Sequence, residues 1–209
     1  MTLSPKQLAQ LARLEALRQA TGRHCGSCTM CCHILGVDAP DLVKPPDTPC
    51  KHCRPGTGCT IYDRRPDMCR GFHCQWLLDS RLGDAWYPRR AKIVMHVADD
   101  GTGPCVVFEV DPRRPNRWLE QPYFEDISNI ALGDVRVSVR VGKHWYLMLP
   151  RAALDDPARV RITWQSHTIN ILPHLVGPGY VKHRLTGAEF GWAEMVPFAG
   201  SENSWRNQP

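Results

Sequence analysis

One stretch decides the fold of this chain: Cys25-Gly-Ser-Cys28-Thr-Met-Cys31-Cys32. The sequence has 209 residues and 10 cysteines, and every cysteine except Cys105 lies between Cys25 and Cys74. Thiols packed so closely either pair as disulfides or bind a soft metal ion as thiolates. The redox state of the compartment decides between these two outcomes.

The residues before this run predict a helix and give no sign of a secretory signal. Ser4 as N-cap and Pro5 as the first helical residue begin a helix that ends near Gly22. Its apolar face consists of Leu8, Leu11, Leu14 and Leu17. The segment lacks the apolar core of about 7 to 15 residues that a secretory signal needs, and no later segment approaches the about 18 apolar residues that span a bilayer. We therefore expect a cytoplasmic protein, not bound to membrane, whose thiols stay reduced and available for metal.

The charge pattern argues against a nucleic-acid partner. The formal net charge is +5, and basic residues are spread out or interleaved with acids, as in Asp63-Arg64-Arg65-Pro66-Asp67. Nucleic-acid binding requires a clustered basic face or a known reader motif, and the sequence has neither. The expected partner is a metal ion, with a protein partner as a further alternative.

The chain divides into four predicted segments: a helix over 1–22, a cysteine zone over 23–76, an α+β region over 77–200 and a frayed tail over 201–209. Prolines keep the backbone of the cysteine zone in loops and short turns, which metal would hold in shape. They are Pro40, Pro45, Pro46, Pro49 and Pro55. The predicted fold class is therefore α+β, with an N-terminal helix, a loop-rich metal-stabilised cysteine zone, and then a small antiparallel sheet with helices.

The third segment carries most of the regular structure that the sequence predicts. Strands are expected at Ile93–Ala98, Cys105–Val110, Val135–Val141 and Trp145–Leu149, and helices at Tyr123–Leu132 and Ser166–Leu175. Valines alternate with polar residues over 135–141, and Gly142-Lys143-His144 supplies a turn, so the last two strands predict a hairpin. Cys105, followed by two valines, predicts a buried apolar cysteine.

The spacing of Cys25, Cys28 and Cys31 bears on the identity of the metal. A tight loop with this spacing turns all three thiols toward one centre, as in the C-x2-C-x2-C part of bacterial ferredoxins, which favours an iron-sulfur cluster. Zinc is the alternative. Structural zinc sites usually draw ligands from two C-x2-C knuckles, and Cys50 and Cys53 form the only other such pair here.

The adjacent pair Cys31 and Cys32 predicts that the thiols serve more than one centre. Neighbouring side chains on a non-helical backbone point apart, so the two thiols are not expected to share one ion. A ferredoxin would place its fourth cysteine four residues after the third and follow it with proline. Here His33 follows Cys32, so the ferredoxin analogy ends at this point.

A second block, from Gly58-Cys59-Thr-Ile-Tyr through Arg65-Pro-Asp-Met-Cys69-Arg-Gly-Phe-His-Cys74, completes a recognisable pattern. With the opening run it closely resembles the CxxCxxCC family of zinc- or iron-chelating domains, which is distantly related to the flagellin lysine N-methylases. The resemblance covers residues 25–76 and implies a set of metal-binding thiols. These are Cys25, Cys28, Cys31, Cys32, Cys50, Cys59, Cys69 and Cys74. Cys53 stands where the family more usually has an apolar residue, so it is the doubtful ligand.

Other residues of the cysteine zone are expected to support the metal. Eight thiolates around two zinc ions would leave about four net negative charges, which the arginines of the second block would offset. These are Arg64, Arg65 and Arg70. The aromatic residues Tyr62, Phe72 and Trp76 are expected to shield the centre from water. Four histidines adjoin cysteines and are alternative ligands, although eight thiols leave little need for them. They are His24, His33, His52 and His73.

The sequence thus predicts a metal-binding cysteine-cluster protein that holds an iron-sulfur cluster or zinc through about eight thiolates, with no defined substrate. One alternative, implied by the resemblance, is a cluster-dependent oxidoreductase or a protein methyltransferase-like enzyme. The radical adenosylmethionine signature C-x3-C-x2-C is absent from the sequence, however, and no Gly-rich loop follows an evident strand. Another alternative is a zinc-stabilised interaction or metal-handling module. No residue is predicted to be catalytic, and Cys53 is the one candidate for a reactive thiol.

Overall fold

The computed structural model describes residues 4–99, 104–131, 135–150, 161–164, 167–170, 183–184 and 190–195. The chain forms two compact units, Met1–His96 and Val97–Pro209. An N-terminal helix is followed by small antiparallel sheets and helices, which confirms the predicted α+β class. Within the described ranges, no helix is both long enough and apolar enough to cross a membrane. The predicted tail over 201–209 lies outside the described residues.

The first unit begins with helix α1, Pro5–Thr21, close to the predicted bounds. Gly22 ends it at a φ of +67°, a left-handed conformation that glycine adopts without steric cost. The end of the helix is fastened to a later segment by Arg23, whose guanidinium donates to the carbonyl oxygens of Trp76 at 2.7 Å and Leu82 at 2.7 Å. The same guanidinium lies 4.5 Å from the centroid of the Trp76 ring.

Short elements follow α1 through the rest of the first unit. They are α2 Met30–Ile34, β1 Val37–Ala39, β2 Leu42–Lys44, β3 Cys53–Arg54, β4 Gly58–Cys59, α3 Asp67–Gly71, α4 Gln75–Leu78 and α5 Pro88–Ala91. Strands β1 and β2 form one antiparallel pair, and β3 and β4 form another. Single 3-10 turns lie at Tyr62–Arg64 and Asp84–Trp86. No element after α1 exceeds 5 residues up to α5, as expected of a zone interrupted by prolines.

The core of the first unit includes a cysteine among its apolar residues. Met30, Ile34, Leu77 and Val94 are buried together with Cys74, and partly buried side chains pack against them. These are Cys25, Cys28, Leu35, Phe72 and Trp76. Thiols therefore occupy positions that aliphatic side chains fill in an ordinary core.

The largest sheet follows the strands that the sequence predicts. The strands are β5 Ile93–Asp99, β6 Pro104–Val110, β7 Arg136–Val141, β8 His144–Pro150, β11 His183–Arg184 and β12 Phe190–Met195. Their order across the sheet is β11-β12-β8-β7-β6-β5. The division between the two units falls within β5. The predicted hairpin is confirmed, since β7 and β8 pair antiparallel and Gly142 turns between them at a φ of +60°.

Helix α6, Tyr123–Ala131, lies between β6 and β7 in the chain, and these two strands run parallel. A parallel pair needs such a crossover connection, so this sheet is mixed rather than wholly antiparallel. One of its faces is apolar, with Phe108, Val110 and Val139 fully buried, while Glu109 and Arg140 form a buried ion pair on the other. Cys105 in β6 is 2% exposed, which confirms the predicted buried cysteine.

One predicted helix is wrong where the structure describes it. Within the predicted helix Ser166–Leu175, His167–Asn170 forms strand β10, antiparallel to β9 at Arg161–Trp164. Thr168 and Ile169 are β-branched and favour extended backbone, a preference that a pairing partner then fixes. The rest of that predicted helix lies outside the described residues.

Candidate metal centre

Four thiols line one small pocket of the first unit: Cys25, Cys28, Cys31 and Cys74. We call them the first thiol group. The rest of the pocket wall is apolar or aromatic and consists of Trp76, Leu77, Tyr87, Pro88 and Val94. The sequence predicted a common centre for the first three of these thiols, and the structure places all three around one pocket together with a fourth.

Backbone turns aim the thiols of the first group. The Cys28 N–H donates to the Cys25 carbonyl at 2.8 Å, and this closes a tight turn in which Gly26 has a φ of +52°. Cys31 follows within α2, and Cys74 stands immediately before α4. Backbone N–H groups at these short helices, including that of Met30 near Cys28, favour the thiolate form of Cys28 and Cys74.

Five further thiols gather around the β3–β4 hairpin. They are Cys32, Cys50, Cys53, Cys59 and Cys69, which we call the second thiol group. Main-chain hydrogen bonds connect three of them, since Cys50 N–H donates to the Cys32 carbonyl at 2.9 Å and Cys53 N–H donates to the Cys50 carbonyl at 2.9 Å. Cys53 then faces Cys59 across the hairpin. Burial, and next the nearby thiols of Cys32 and Cys50, raise the pKa of Cys69 to about 11.

The two groups meet through close packing of two loops. Gly58 in β4 has a φ of +105°, and a Cβ at that position would lie 2.6 Å from the Gly26 carbonyl oxygen. Both facts require glycine there, because a side chain would be strained and would also collide with the neighbouring backbone. Gly58 thereby lets the hairpin of the second thiol group pack directly on the Cys25–Cys28 turn.

Cys31 and Cys32 join the two groups, although not as the sequence predicts. They lie within α2 and are therefore helical, so the assumption of a non-helical backbone is wrong. Their thiols are also hydrogen-bonded to one another. Their surroundings nevertheless differ, because Cys31 lines the pocket of the first group, whereas Cys32 is hydrogen-bonded to Cys53 in the second.

Burial dominates the protonation of the first thiol group. It raises the pKa of Cys74 to about 12 and also raises the pKa of Cys25 and Cys28. The pKa of Cys31 lies well above its ordinary value, because of its hydrogen bond to Cys32 and because of burial. In the second thiol group, by contrast, the hydrogen bond from Cys31 lowers the pKa of Cys32 to about 7. Without a bound cation, the first group therefore consists of neutral thiols at pH 7.

A buried lysine accompanies the second thiol group. Lys44 is only 4% exposed, and its Nζ donates to the carbonyls of Thr48 at 2.6 Å and Pro45 at 3.1 Å. Burial lowers the pKa of Lys44, while the nearby Cys50 and Cys32 oppose that shift. Sequence reasoning missed this residue. The available signal was the alternation in Leu42-Val43-Lys44, which places Lys44 on the buried face of β2 with Leu42.

Arg65 is the arginine of the second block that reaches the thiols. Its Nε donates to the Tyr62 carbonyl at 2.7 Å, and its guanidinium lies 3.6 Å from the centroid of the Tyr62 ring. Its positive charge lowers the pKa of Cys25, Cys32 and Cys69, against the effect of burial. The other two predicted arginines, at positions 64 and 70, are exposed.

The three aromatic residues predicted to shield the centre lie in different environments. Trp76 lines the pocket of the first group, and Phe72 packs against the adjoining core. Tyr62 is 39% exposed, but its hydroxyl is hydrogen-bonded to the Cys25 thiol. Tyr87, which the sequence did not single out, completes the wall with its ring 4.7 Å from that of Trp76.

None of the four histidines beside the cysteines lines the pocket of the first group. His24 Nδ1 lies 3.1 Å from an Arg18 guanidinium nitrogen. His73 Nε2 lies 3.8 Å from a Glu15 carboxylate oxygen, and burial lowers the pKa of His73. The two others lie in α2 (His33) and in the turn between Cys50 and Cys53 (His52).

The first thiol group has the right ligand atoms for a soft metal ion or an iron-sulfur cluster, but its thiols are not arranged around a single ion. Among the described residues, no three cysteine, histidine or acidic groups are arranged to hold a metal ion. The first group instead surrounds a pocket. Trp76 lines this pocket, and its buried Nε1 has no hydrogen-bond partner in the described part of the chain. An anionic thiolate or sulfide in the pocket would provide the missing acceptor.

Comparisons with protein families, with curated proteins and with solved structures find no match for this chain. The role of the thiols must therefore be inferred from their own arrangement.

Proposed function

We propose that this chain is a cytoplasmic metal-binding protein of the CxxCxxCC type, in which eight thiolates hold two metal centres. The first centre would use Cys25, Cys28, Cys31 and Cys74. The second would use Cys32, Cys50, Cys59 and Cys69. One observation carries the proposal: nine cysteines spread over fifty residues of sequence divide in space into one group around an apolar pocket and another around a hairpin.

The protonation of the first group supports a bound cation. Neutral thiols are weak hydrogen-bonding groups that pack as small apolar side chains do, so packing alone gives no reason for four of them to line one pocket. A soft cation converts them to thiolates and balances the charge that burial otherwise opposes. Metal binding at structural sites contributes on the order of 10 kcal/mol or more to folding.

An iron-sulfur cluster is the favoured cofactor of the first centre, and a zinc ion is the alternative. The C-x2-C-x2-C spacing of Cys25, Cys28 and Cys31 favours a cluster, and these three thiols line one pocket together with Cys74. The indole N–H of Trp76 is available to hydrogen-bond to sulfur there, and such bonds tune cluster potentials. A bound iron-sulfur cluster supplies one-electron transfer, whereas zinc bound by four thiolates serves to cross-link the fold.

Two positively charged side chains near the second thiol group are evidence that a negatively charged metal centre forms there. Four thiolates on a divalent ion leave about two net negative charges. Lys44 is buried beside Cys32 and Cys50, and Arg65 adds its charge near Cys32 and Cys69. A lysine is rarely buried unless it is paired, so a thiolate centre gives its position a physical reason.

Elemental analysis of the anaerobically purified full-length protein tests the proposal. Iron, zinc and acid-labile sulfide are counted per chain, and the visible absorption spectrum is recorded. The expected result is metal at two centres, with sulfide and visible absorption if the first holds a cluster. Cys105→Ser serves as the matched control, because Cys105 is buried in β6 and should leave the metal content unchanged. Metal-free protein with nine readily titrated thiols would refute the proposal.

A further inference from the structure

Cys53 and Cys59 face each other across the β3–β4 hairpin in the register that suits a disulfide. They are paired positions of two antiparallel strands. The Cys53 N–H donates to Cys50, not to Cys59, and the Thr60 N–H donates to the His52 carbonyl at 2.8 Å just beyond the pair. This pattern marks a non-hydrogen-bonded pair, in which the Cα atoms lie about 4.5 Å apart and the side chains share one face.

That geometry falls within the range in which two cysteines join without backbone movement, since disulfides span Cα separations of about 4.4 to 6.8 Å. Both side chains are partly exposed, so a small oxidant has access to them. The two cysteines differ in their proposed relation to the metal. Cys59 belongs to the eight thiols of the proposed metal centres, whereas Cys53 is the one thiol of the second group outside that set.

We propose that Cys53 is a resolving thiol that forms a reversible disulfide with Cys59 under oxidation by a hydroperoxide, and so withdraws Cys59 from the second metal centre. The loss of metal rests on the proposed function, but the disulfide itself does not. Cys53 would thus make the second centre sensitive to oxidant, while the first centre keeps all four of its thiols.

The chemistry is a two-electron oxidation of the pair by hydrogen peroxide. One thiolate sulfur attacks a peroxide oxygen, the O–O bond breaks, and hydroxide leaves, which gives a sulfenic acid. The other thiolate attacks that sulfur, the S–S bond forms, and a second hydroxide leaves. The two protons released by the thiols convert both hydroxides to water. A dithiol reductant reverses the reaction by thiol–disulfide exchange.

Tryptic peptide mapping of the full-length protein as purified, with the remaining thiols alkylated before digestion, tests the disulfide directly. Proline at position 55 blocks cleavage after Arg54, so residues 52–64 form one peptide whose only cysteines are Cys53 and Cys59. After treatment with one equivalent of hydrogen peroxide, we expect this peptide to be lighter by two hydrogens and to regain them on reduction. A peptide 52–64 that stays reduced, or that is cross-linked to peptide 24–51, which contains Cys32, would overturn the proposal.

A second measurement addresses the metal. Metal-loaded wild-type protein and the Cys53→Ser variant are treated with peroxide, and released metal is counted with a chromophoric chelator. Wild-type protein should lose the second centre, Cys53→Ser should retain it, and the control Cys105→Ser should behave as wild type. Equal release from wild type and Cys53→Ser would overturn the regulatory role. If the protein binds no metal at all, the proposed function fails, and the peptide map still decides on the disulfide.

Discussion

The two thiol groups use the same ligand atoms in contrasting surroundings. The first group lies against apolar and aromatic side chains, and its Cys74 is a member of the hydrophobic core. The second group is built on main-chain hydrogen bonds around a short hairpin, beside the cations of Lys44 and Arg65. The first therefore depends on burial, and the second depends on charge.

Because of this difference, two centres within one short segment should differ in how fast they exchange metal and in how readily they react with oxidants. An apolar wall excludes water and competing ligands, so a group bound there should exchange slowly. A partly exposed hairpin with a spare thiol is open to solvent and to oxidants. We expect the first centre to stabilise the fold and the second to respond to conditions.

The largest expected effect comes from removing a thiol of the first group. Cys74→Ser should abolish the first centre and destabilise the first unit more than Cys25→Ser does, because Cys74 is both a proposed ligand and 9% exposed in the core, whereas Cys25 is only partly buried. Hydrogen exchange should show lost protection over residues 74–96, in contrast to Cys105→Ser, while the second centre keeps its metal. Full protection together with unchanged metal content would contradict the role of Cys74.

Removing a thiol of the second group should have a smaller and more selective effect. Cys59→Ser should lose the second centre and keep the first, because Cys59 lies on the hairpin and does not line the pocket. Metal content and thermal unfolding measure the two consequences separately. If Cys59→Ser unfolded the protein as severely as Cys74→Ser, the proposed difference between the two groups would be wrong.

Neutralising the buried lysine should weaken the second centre without removing a ligand. Lys44→Met should lower its metal affinity by about 10-fold, in the range found for outer-shell partners of metal sites. Lys51→Met is the matched control, since Lys51 adjoins Cys50 but is exposed. Chelator competition on the Cys25→Ser background isolates the second centre. Equal affinities for the two lysine variants would show that the charge of Lys44 is irrelevant.

The smallest expected difference is in the dependence of affinity on pH. Metal-bound thiolates carry fewer protons than the metal-free thiols, so the loaded form is favoured as pH rises and is lost as pH falls. Burial raises the pKa of Cys74 to about 12 and also raises the pKa of Cys25 and Cys28, while the hydrogen bond to Cys32, together with burial, raises that of Cys31, so the thiols of the first group hold their protons more tightly than ordinary thiols. Cys32, with its pKa lowered to about 7, is already largely ionised between pH 7.5 and 8.5.

Because Cys32 has little proton left to release, the first centre should displace more protons than the second, and its affinity should rise more steeply with pH. Chelator competition at pH 7.5 and 8.5 measures this with Cys59→Ser, which keeps the first centre, and Cys25→Ser, which keeps the second. Identical slopes would mean that the protonation difference between the groups does not affect binding.

Much of the fold could be predicted from local pattern. Helix α1 and strands β5 to β8 carry strong periodic signals, and they occur close to where those signals place them. The parallel pairing of β6 and β7 has no local signature, because it depends on the crossover through α6. The helix predicted at Ser166–Leu175 failed at His167–Asn170, because a short apolar run is decided by its pairing partner.

The candidate site was predictable in its ligands and not in their grouping. The spacing of Cys25, Cys28 and Cys31 predicts a shared centre, since local turns suffice to bring these thiols together. The addition of Cys74 depends on tertiary packing over more than forty residues. Lys44 was missed because the alternation that places it on the buried face of β2 extends over only three residues and is a weak signal.

The most direct test of the central claim is the metal and sulfide content per chain of anaerobically purified wild type, Cys25→Ser, Cys59→Ser and the double variant. Two separate centres predict that each single variant loses a different part of the metal, and that the double variant loses both parts. If either single substitution removed all the metal, the thiols would form one connected centre. If neither changed the content, the proposed ligand sets would be wrong.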